Sequence, residues 1–305
     1  MKILARVLMG LGAFLLIAGI LAVAWAPGMV KKTPLDVETT TVYEGQAAKI
    51  DPATGAFDKK PVYAIRETKS DSKKSSDDTV LMIETACAVF DTGGAQVCVN
   101  GNDPDLITAS VDIFATDRVT ALAVDDKNLP EGTVVPEGLV NKFPFDVEKK
   151  SYPFWDGDIG RAVDIEYDGT EELFGLDTYR FSYTVTDEPI EVAEGIPGTY
   201  SNTVTVNVDP TTGSIVRSGQ DQQRFLDDGT PALDIQVIGT DDTVKDAVDE
   251  AKTAGQSLFI LLTVVPLVGF IGGALCLVGG FLLLRRRSDE TPVEDRDGDK
   301  VGAGA

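Results

Sequence analysis

Two long apolar runs, one near each end, restrict this chain more than any other feature. Residues 7–26 are 20 positions without a charge, bounded by Lys2 and Arg6 on one side and by Lys31 and Lys32 on the other. Residues 257–284 are equally free of charge and run into Arg285, Arg286 and Arg287. About 20 apolar residues make a helix that spans the hydrocarbon core of a bilayer. Each run is therefore read as a membrane helix, and what lies between them as an independent domain.

The first run has a rival reading as a cleaved signal peptide, since Ala22-Val23-Ala24 carries the small-x-small pattern of a processing site. Its length suits a bilayer core better than a signal-peptide core, which favours retention. The arginine cluster 285–287 reads as a stop-transfer signal that stays cytoplasmic. With two spans, both termini then lie in the cytoplasm and the central domain lies outside, in the plasma membrane or cell envelope. The plan is a cytoplasmic start (1–6), a membrane helix (7–26), an extracytoplasmic β-rich domain (27–239), an amphipathic helix (240–256), a second membrane helix (257–284) and a disordered cytoplasmic tail (285–305). Neither apolar run holds an ionisable residue, which argues for anchors rather than a charged ion path. Gly269 and Gly273 have the spacing that lets a second helix approach closely, either the first helix or another copy of the chain.

Charge narrows the function classes. The chain has 27 Lys and Arg against 49 Asp and Glu; only 7 of the basic and 6 of the acidic residues belong to the terminal segments. The central domain is thus strongly acidic, a field that repels phosphates and attracts cations, so no nucleic-acid partner is expected. Histidine is absent, which removes histidine-dependent triads and histidine-ligated zinc. Carboxylates such as Asp156, Asp158, Glu171 and Glu172 are plentiful, but a glycosidase pair is defined by separation in space, and no nucleophile motif accompanies them. No catalytic residue, metal or cofactor is expected.

Between the helices the patterns are those of antiparallel strands. Tyr179, Phe181, Tyr183 and Val185 alternate on one face, as do Val204, Val206 and Val208. Residues 62–67 and 79–84 read as short strands joined by a polar loop. Asp51-Pro52-Ala53-Thr54-Gly55 and Asp209-Pro210-Thr211-Thr212-Gly213 read as turns, with too few oxygens for calcium. Residues 85–89 and 95–99 flank a glycine-bearing turn and put Cys87 and Cys98 on its two arms, predicting a cross-strand disulfide in an oxidising compartment. From 240 onward Val244, Ala247, Val248, Ala251 and Ala254 recur at helical spacing, with Asp241 or Asp242 as N-cap. That helix either forms a stalk leading into the second span or packs on the β domain. The fold class expected is a mainly β (α+β) domain of antiparallel strands flanked by two transmembrane helices.

The segment 141–156 (NKFPFDVEKKSYPFWD), with 175–181 (GLDTYRF) and 208–216 (VDPTTGSIV), closely resembles blocks typical of the actinobacterial PorA-type porins. Together with the helix at each end, the resemblance covers nearly the whole chain. It implies a channel-forming porin of the cell envelope, and other members are connected with lipoglycan assembly. The layout of two anchors around a β-rich centre also resembles, at the level of fold, scavenger receptors of the CD36 type, which carry lipids through a hydrophobic tunnel. The acidic surface would make a channel favour cations. Strands that read as shorter than the 9–11 residues of a membrane barrel argue against a pore within one domain, so conduction requires a homo-oligomer. Phe143, Phe145, Tyr152, Phe154 and Trp155 are either an ordinary aromatic core or the lip of a lipid entrance. The partners expected are membrane lipids and either cations or lipoglycans.

Overall fold

The computed structural model describes residues 2–94, 97–99, 101 and 103–285. Arg286, Arg287 and the tail beyond them lie outside the described residues. The chain divides into a helical unit, Met1–Val30 with Ser257–Ala305, and a β unit, Lys31–Gln256.

In the helical unit, α1 (Lys2–Ala24) is followed by the short α2 (Ala26–Val30). Near the other end, α3 (Asp241–Phe259) continues through a π-helical turn, Ile260–Val264, into α4 (Val265–Arg285). The turn has a local cause: Pro266 has no N–H to give and its ring crowds the carbonyl one turn earlier, so the ladder widens just before it. Both helical segments are long and apolar enough to cross a membrane.

The helices α1 and α4 run antiparallel in backbone contact. A Cβ on Gly12 would stand 2.8 Å from the Gly273 carbonyl oxygen, one on Gly269 2.8 Å from that of Leu15, and one on Gly280 3.0 Å from that of Ala5. Ala5, Gly12, Gly19 and Ala26 are spaced seven apart, as are Pro266, Gly273 and Gly280. A seven-residue repeat keeps one seam facing the partner helix, and small residues along it let the backbones touch. Large side chains such as Phe14, Ile17, Leu275 and Val278 are left exposed.

The β unit is one antiparallel, 11-stranded half-barrel sheet. Its strands are β1 (Glu38–Lys49), β2 (Lys60–Ser70), β3 (Thr79–Phe90), β4 (Leu106–Asp117), β5 (Ala123–Val124), β6 (Tyr152–Asp156), β7 (Arg161–Leu173), β8 (Leu176–Ala193), β9 (Ile196–Val208), β10 (Ile215–Leu226) and β11 (Pro231–Gly239). The order is β5-β4-β3-β2-β1-β11-β10-β9-β8-β7-β6. Consecutive strands are neighbours except β5 and β6, which form the two edges, and β1 and β11 meet in mid-sheet, with Tyr43 opposite Gly239. The two edges are tied together at Leu139, which bridges Leu122 on one side and Phe154 on the other. Leu139 donates its N–H to the Pro153 carbonyl at 2.8 Å and accepts from Trp155 N–H at 2.7 Å.

Three sequence expectations change. Nine of the eleven strands are at least nine residues long, so the short-strand argument against a barrel fails: paired backbones extend each strand beyond its β-branched run, into polar residues. Residues 97–99 are not a strand; β3 pairs with β4 instead, so the Cys87–Cys98 disulfide forms but pins a loop to β3 rather than crossing a hairpin. The α3 N-cap is Thr240, whose hydroxyl accepts from Thr243 N–H at 3.4 Å, while Asp241 and Asp242 occupy the first turn, where negative charge favours the helix dipole.

Burial follows the strand period of two. On β8 and β9 the inner face carries Phe181, Tyr183, Val185, Tyr200, Val206 and Val208, all buried in one cluster with Phe143, Tyr152 and Phe154. A second cluster on β1, β2, β3 and β11 holds Tyr43, Ala47, Val62, Ala88, Ile235 and Val237. On β7 to β11 the outer face is mostly polar, with Asp164, Glu166, Ser182, Thr184, Thr203, Thr205, Asp221 and Gln236 in register, whereas on β2 and β3 it carries Tyr63, Ile65, Cys87 and Val89, packed with Val99 and Leu106. One end of that outer face is covered, where Val244, Val248 and Ala251 of α3 pack on Leu173 and Val216.

Candidate functional site

The three stretches that carry the family resemblance are far apart in sequence and meet in one place. Phe143 is fully buried, with its ring centroid 4.8 Å from Phe181, 5.3 Å from Tyr152 and 6.2 Å from Phe154. Its N–H donates to the Gly213 carbonyl at 2.8 Å, and Val147 N–H donates to that of Pro210. The segment 141–147 is therefore laid along the 209–213 turn by backbone bonds, with its aromatic rings pressed into the half-barrel. Burial of a ring this size contributes roughly 1.5–3 kcal/mol. Of the five aromatic residues singled out from the sequence, Phe143, Tyr152 and Phe154 are buried in this core; Phe145 and Trp155 are half-buried.

The turn that receives the segment is built from one carboxylate. Asp209, itself buried, accepts from the N–H groups of Thr211 (3.2 Å) and Thr212 (3.0 Å) and from the Thr212 hydroxyl (2.6 Å). Gly213 closes it with φ +75°, and a Cβ there would collide with the carbonyl oxygens of Phe143 and Pro144. Asp51 builds the same kind of turn between β1 and β2, accepting from Ala53 N–H and the Thr54 hydroxyl, but among the described residues nothing lies within 4 Å of where a Cβ on its Gly55 would stand.

Lys142 was not singled out in the sequence, yet it stands at the centre of this contact. Its ammonium donates to the carbonyls of Phe143 and Thr212 and sits 4.1 Å from the centroid of the Phe145 ring. Burial pushes its pKa down to about 7, against the pull of the Asp209 carboxylate. The signal that would have found it is a lone lysine inside an aromatic run that begins a turn-contacting segment.

Deeper on the inner face, Asp156 ties three strands together. It accepts from the hydroxyls of Tyr183 (3.0 Å) and Tyr200 (3.1 Å), and Asn202 donates to the Tyr200 oxygen at 2.8 Å. Burial, with the Asp156 and Asp158 carboxylates nearby, pushes both phenols above their ordinary range. Burial also raises the Asp158 pKa, opposed by Arg224, which donates to it at 2.7 Å. A second network lies on the outer face near α3, where Glu171 receives Arg217 at 2.6 Å and Asn207 at 3.1 Å. Burial raises its pKa, but these donors outweigh it and hold the carboxyl low. Each carboxylate has structural donors, and no group of metal-ligating residues occurs among the described residues.

A polar depression of about 310 Å³ lies on β7 and β8, lined by Asp164, Glu166, Tyr167, Asp168, Ser182, Tyr183 and Thr184. It is acidic and open to solvent. Gly269 and Gly273 both lie in the seam with α1, and Arg285 ends α4. The α1 half of that seam went unread in the sequence; the seven-residue spacing of its small residues was the available signal.

The Porin PorA family profile matches residues 4–282 of this chain. Among curated proteins, Porin PorA of Corynebacterium amycolatum is 26% identical, the match covering 58% of this chain and 65% of that protein. Porin PorA of Corynebacterium resistens is 25% identical over 63% of this chain and 54% of that protein. The chain thus spans less than two thirds of the length of either relative. With an apolar span at each end, an 11-stranded sheet between them and a profile match over nearly its whole length, this is a cell-envelope membrane protein and a member of the Porin PorA family.

Proposed function

We propose that the protein is a two-pass, cation-favouring channel protein whose conducting path forms between the helix pairs of at least two copies. The observation that carries this reading is the closed seam of α1 and α4. Their backbones touch at Gly12, Gly269, Gly273 and Gly280, so one pair encloses no water-filled path. The sheet does not supply one across the bilayer either. A membrane barrel needs an apolar outward band all the way round, and here the outward positions from β7 to β11 include Asp164, Glu166, Ser182, Thr184, Thr203, Asp221 and Gln236, while the apolar outward residues of β2 and β3 are packed against Val99 and Leu106. The path therefore falls to an assembly of pairs, with both spans retained and the acidic domains concentrating cations at its mouth. The net charge of −22 sets the sign of that selectivity.

Planar-bilayer conductance tests it. Full-length protein is expected to give discrete, cation-selective steps, while residues 28–255 alone stay silent. Silence from folded full-length protein in repeated preparations would end the channel reading.

A second reading, handling of lipid or lipoglycan, is favoured by the apolar inner face of the sheet. Apolar side chains gather on the inner face, including Phe181, Val206, Ile235 and Val237, which suits an acyl chain. Mass spectrometry of organic extracts from protein purified out of its membrane distinguishes it: a stoichiometric lipid that remains with residues 28–255 supports this reading, and lipid-free protein removes it.

A further inference from the structure

We infer that the free edge of β4 is where two copies of this chain pair, strand to strand, to make a symmetric dimer. Edge strands offer unpaired N–H and C=O groups to any strand that can approach, and proteins usually guard them with charge, proline or a bulge. On its outer side β4 pairs only at Ala115 and Thr116, with the two residues of β5. From Thr108 to Asp112 its outer edge has no strand neighbour among the described residues, and all five residues are exposed, Val111 at 68%. Thr108, Ala109, Ser110 and Val111 are small and uncharged, with no proline or lysine among them. The part of β7 not covered by β6 differs: it carries Glu166, Asp168, Glu171 and Glu172, and its pairing with β8 is broken by a register shift near Gly169.

Charge selects a second copy as the occupant. Each chain carries a net charge of −22, so two copies repel over most of their surfaces and approach best where neither bears charge. An antiparallel pair related by a two-fold axis must match residues of the same strand face. With the axis at Ser110, Ala109 lies opposite Val111 of the second copy, and Thr108 lies opposite Asp112 of the second copy. No carboxylate then faces a carboxylate, and the one acidic side chain faces a hydroxyl. Like charges directly opposite are what such pairs avoid. The pairing adds a strand to each sheet by main-chain hydrogen bonds. It goes beyond the conduction proposed above and does not need it.

The test is sedimentation of the full-length protein in detergent, giving the number of chains per particle. Wild type is expected to carry two. The exposed positions Ala109 and Val111 tolerate substitution, so A109K/V111K, which sets lysines opposite lysines, is expected to carry one while keeping the wild-type far-ultraviolet spectrum and the Cys87–Cys98 disulfide. A109E/V111E is expected to do the same. Mixing the two variants is expected to restore two chains per particle, because each lysine then meets a glutamate. Single-chain wild type overturns the inference. So does a double-lysine variant that still pairs, or a mixture that stays at one chain. Conductance measured on the same samples is a separate readout, so loss of the channel reading leaves this result intact.

Discussion

Phe143 and Gly213 are joined backbone to backbone: the Phe143 N–H donates to the Gly213 carbonyl at 2.8 Å, and the α-carbon of Gly213 faces the Phe143 carbonyl with no room for a side chain. At φ +75° a side chain at 213 is also strained by the backbone itself, by roughly 1–2 kcal/mol. Gly213→Ala is therefore expected to destabilise the β unit by more than about 2 kcal/mol, the collision adding to the strain. Urea unfolding followed by tryptophan fluorescence measures it; a midpoint equal to that of wild type would show the contact to be dispensable.

Phe143 and Trp155 belong to one aromatic block but differ in burial. Phe143→Ala leaves a cavity among Tyr152, Phe154 and Phe181 and is expected to cost about 3–5 kcal/mol. Trp155 is half-buried, and Trp155→Ala should cost clearly less. Equal losses in thermal melts of the two variants would contradict this ordering.

The disulfide closes a short loop, with Cys87 and Cys98 separated by 11 positions. Loop-closure entropy for that length gives about 3 kcal/mol. C87A/C98A should lower stability by that order without changing the far-ultraviolet spectrum, since β3 keeps β2 and β4 as partners.

Lys142 gives a pH dependence of definite sign. Its folded pKa is about 7, below the unfolded value of about 10.4. Between these two values the unfolded chain holds the proton and the folded one does not, so stability contributed by this group rises with pH across that window. Below pH 7 the cost of burying the ammonium is present in full. Denaturation midpoints from pH 7 to 10 should climb more steeply in wild type than in Lys142→Met, and parallel curves would show that the lysine stays charged.

In the helix pair, a Cβ on Gly273 would stand 2.8 Å from Leu16 Cγ and 2.9 Å from the Gly12 oxygen. Gly273→Leu should prise α4 from α1, whereas Gly279→Leu, where a Cβ meets nothing, should not. Melting in detergent compares them, and an equal response from both would refute the seam.

What could be read from the sequence was whatever repeats with the period of its element. The alternation of Phe181, Tyr183 and Val185 marks the inner face of β8, and Val244, Val248 and Ala251 mark the buried side of α3. The full length of β8, through Thr186-Asp187-Glu188-Pro189, could not be read that way. Its pairing with β9 shifts register there, and neighbouring backbone rather than side-chain pattern sustains the strand. Leu139 was illegible for the same reason: it matters through backbone partners distant in sequence. The three resemblance blocks were visible separately, but nothing in their order tells that they touch.

The pairing of β1 with β11 sets the timetable of folding. Lys49 meets Leu233 and Tyr43 meets Gly239, so the earliest strand of the domain waits beside an empty place until nearly the last residue of the domain has been synthesised. Contacts across such a separation form slowly, because the whole intervening loop must be closed first. A chain stopped short of β11 would hold two partial sheets, one on each side of the gap, each with a raw margin and neither able to finish. Such a product is one that quality-control proteases would be expected to clear rather than one that works at reduced level.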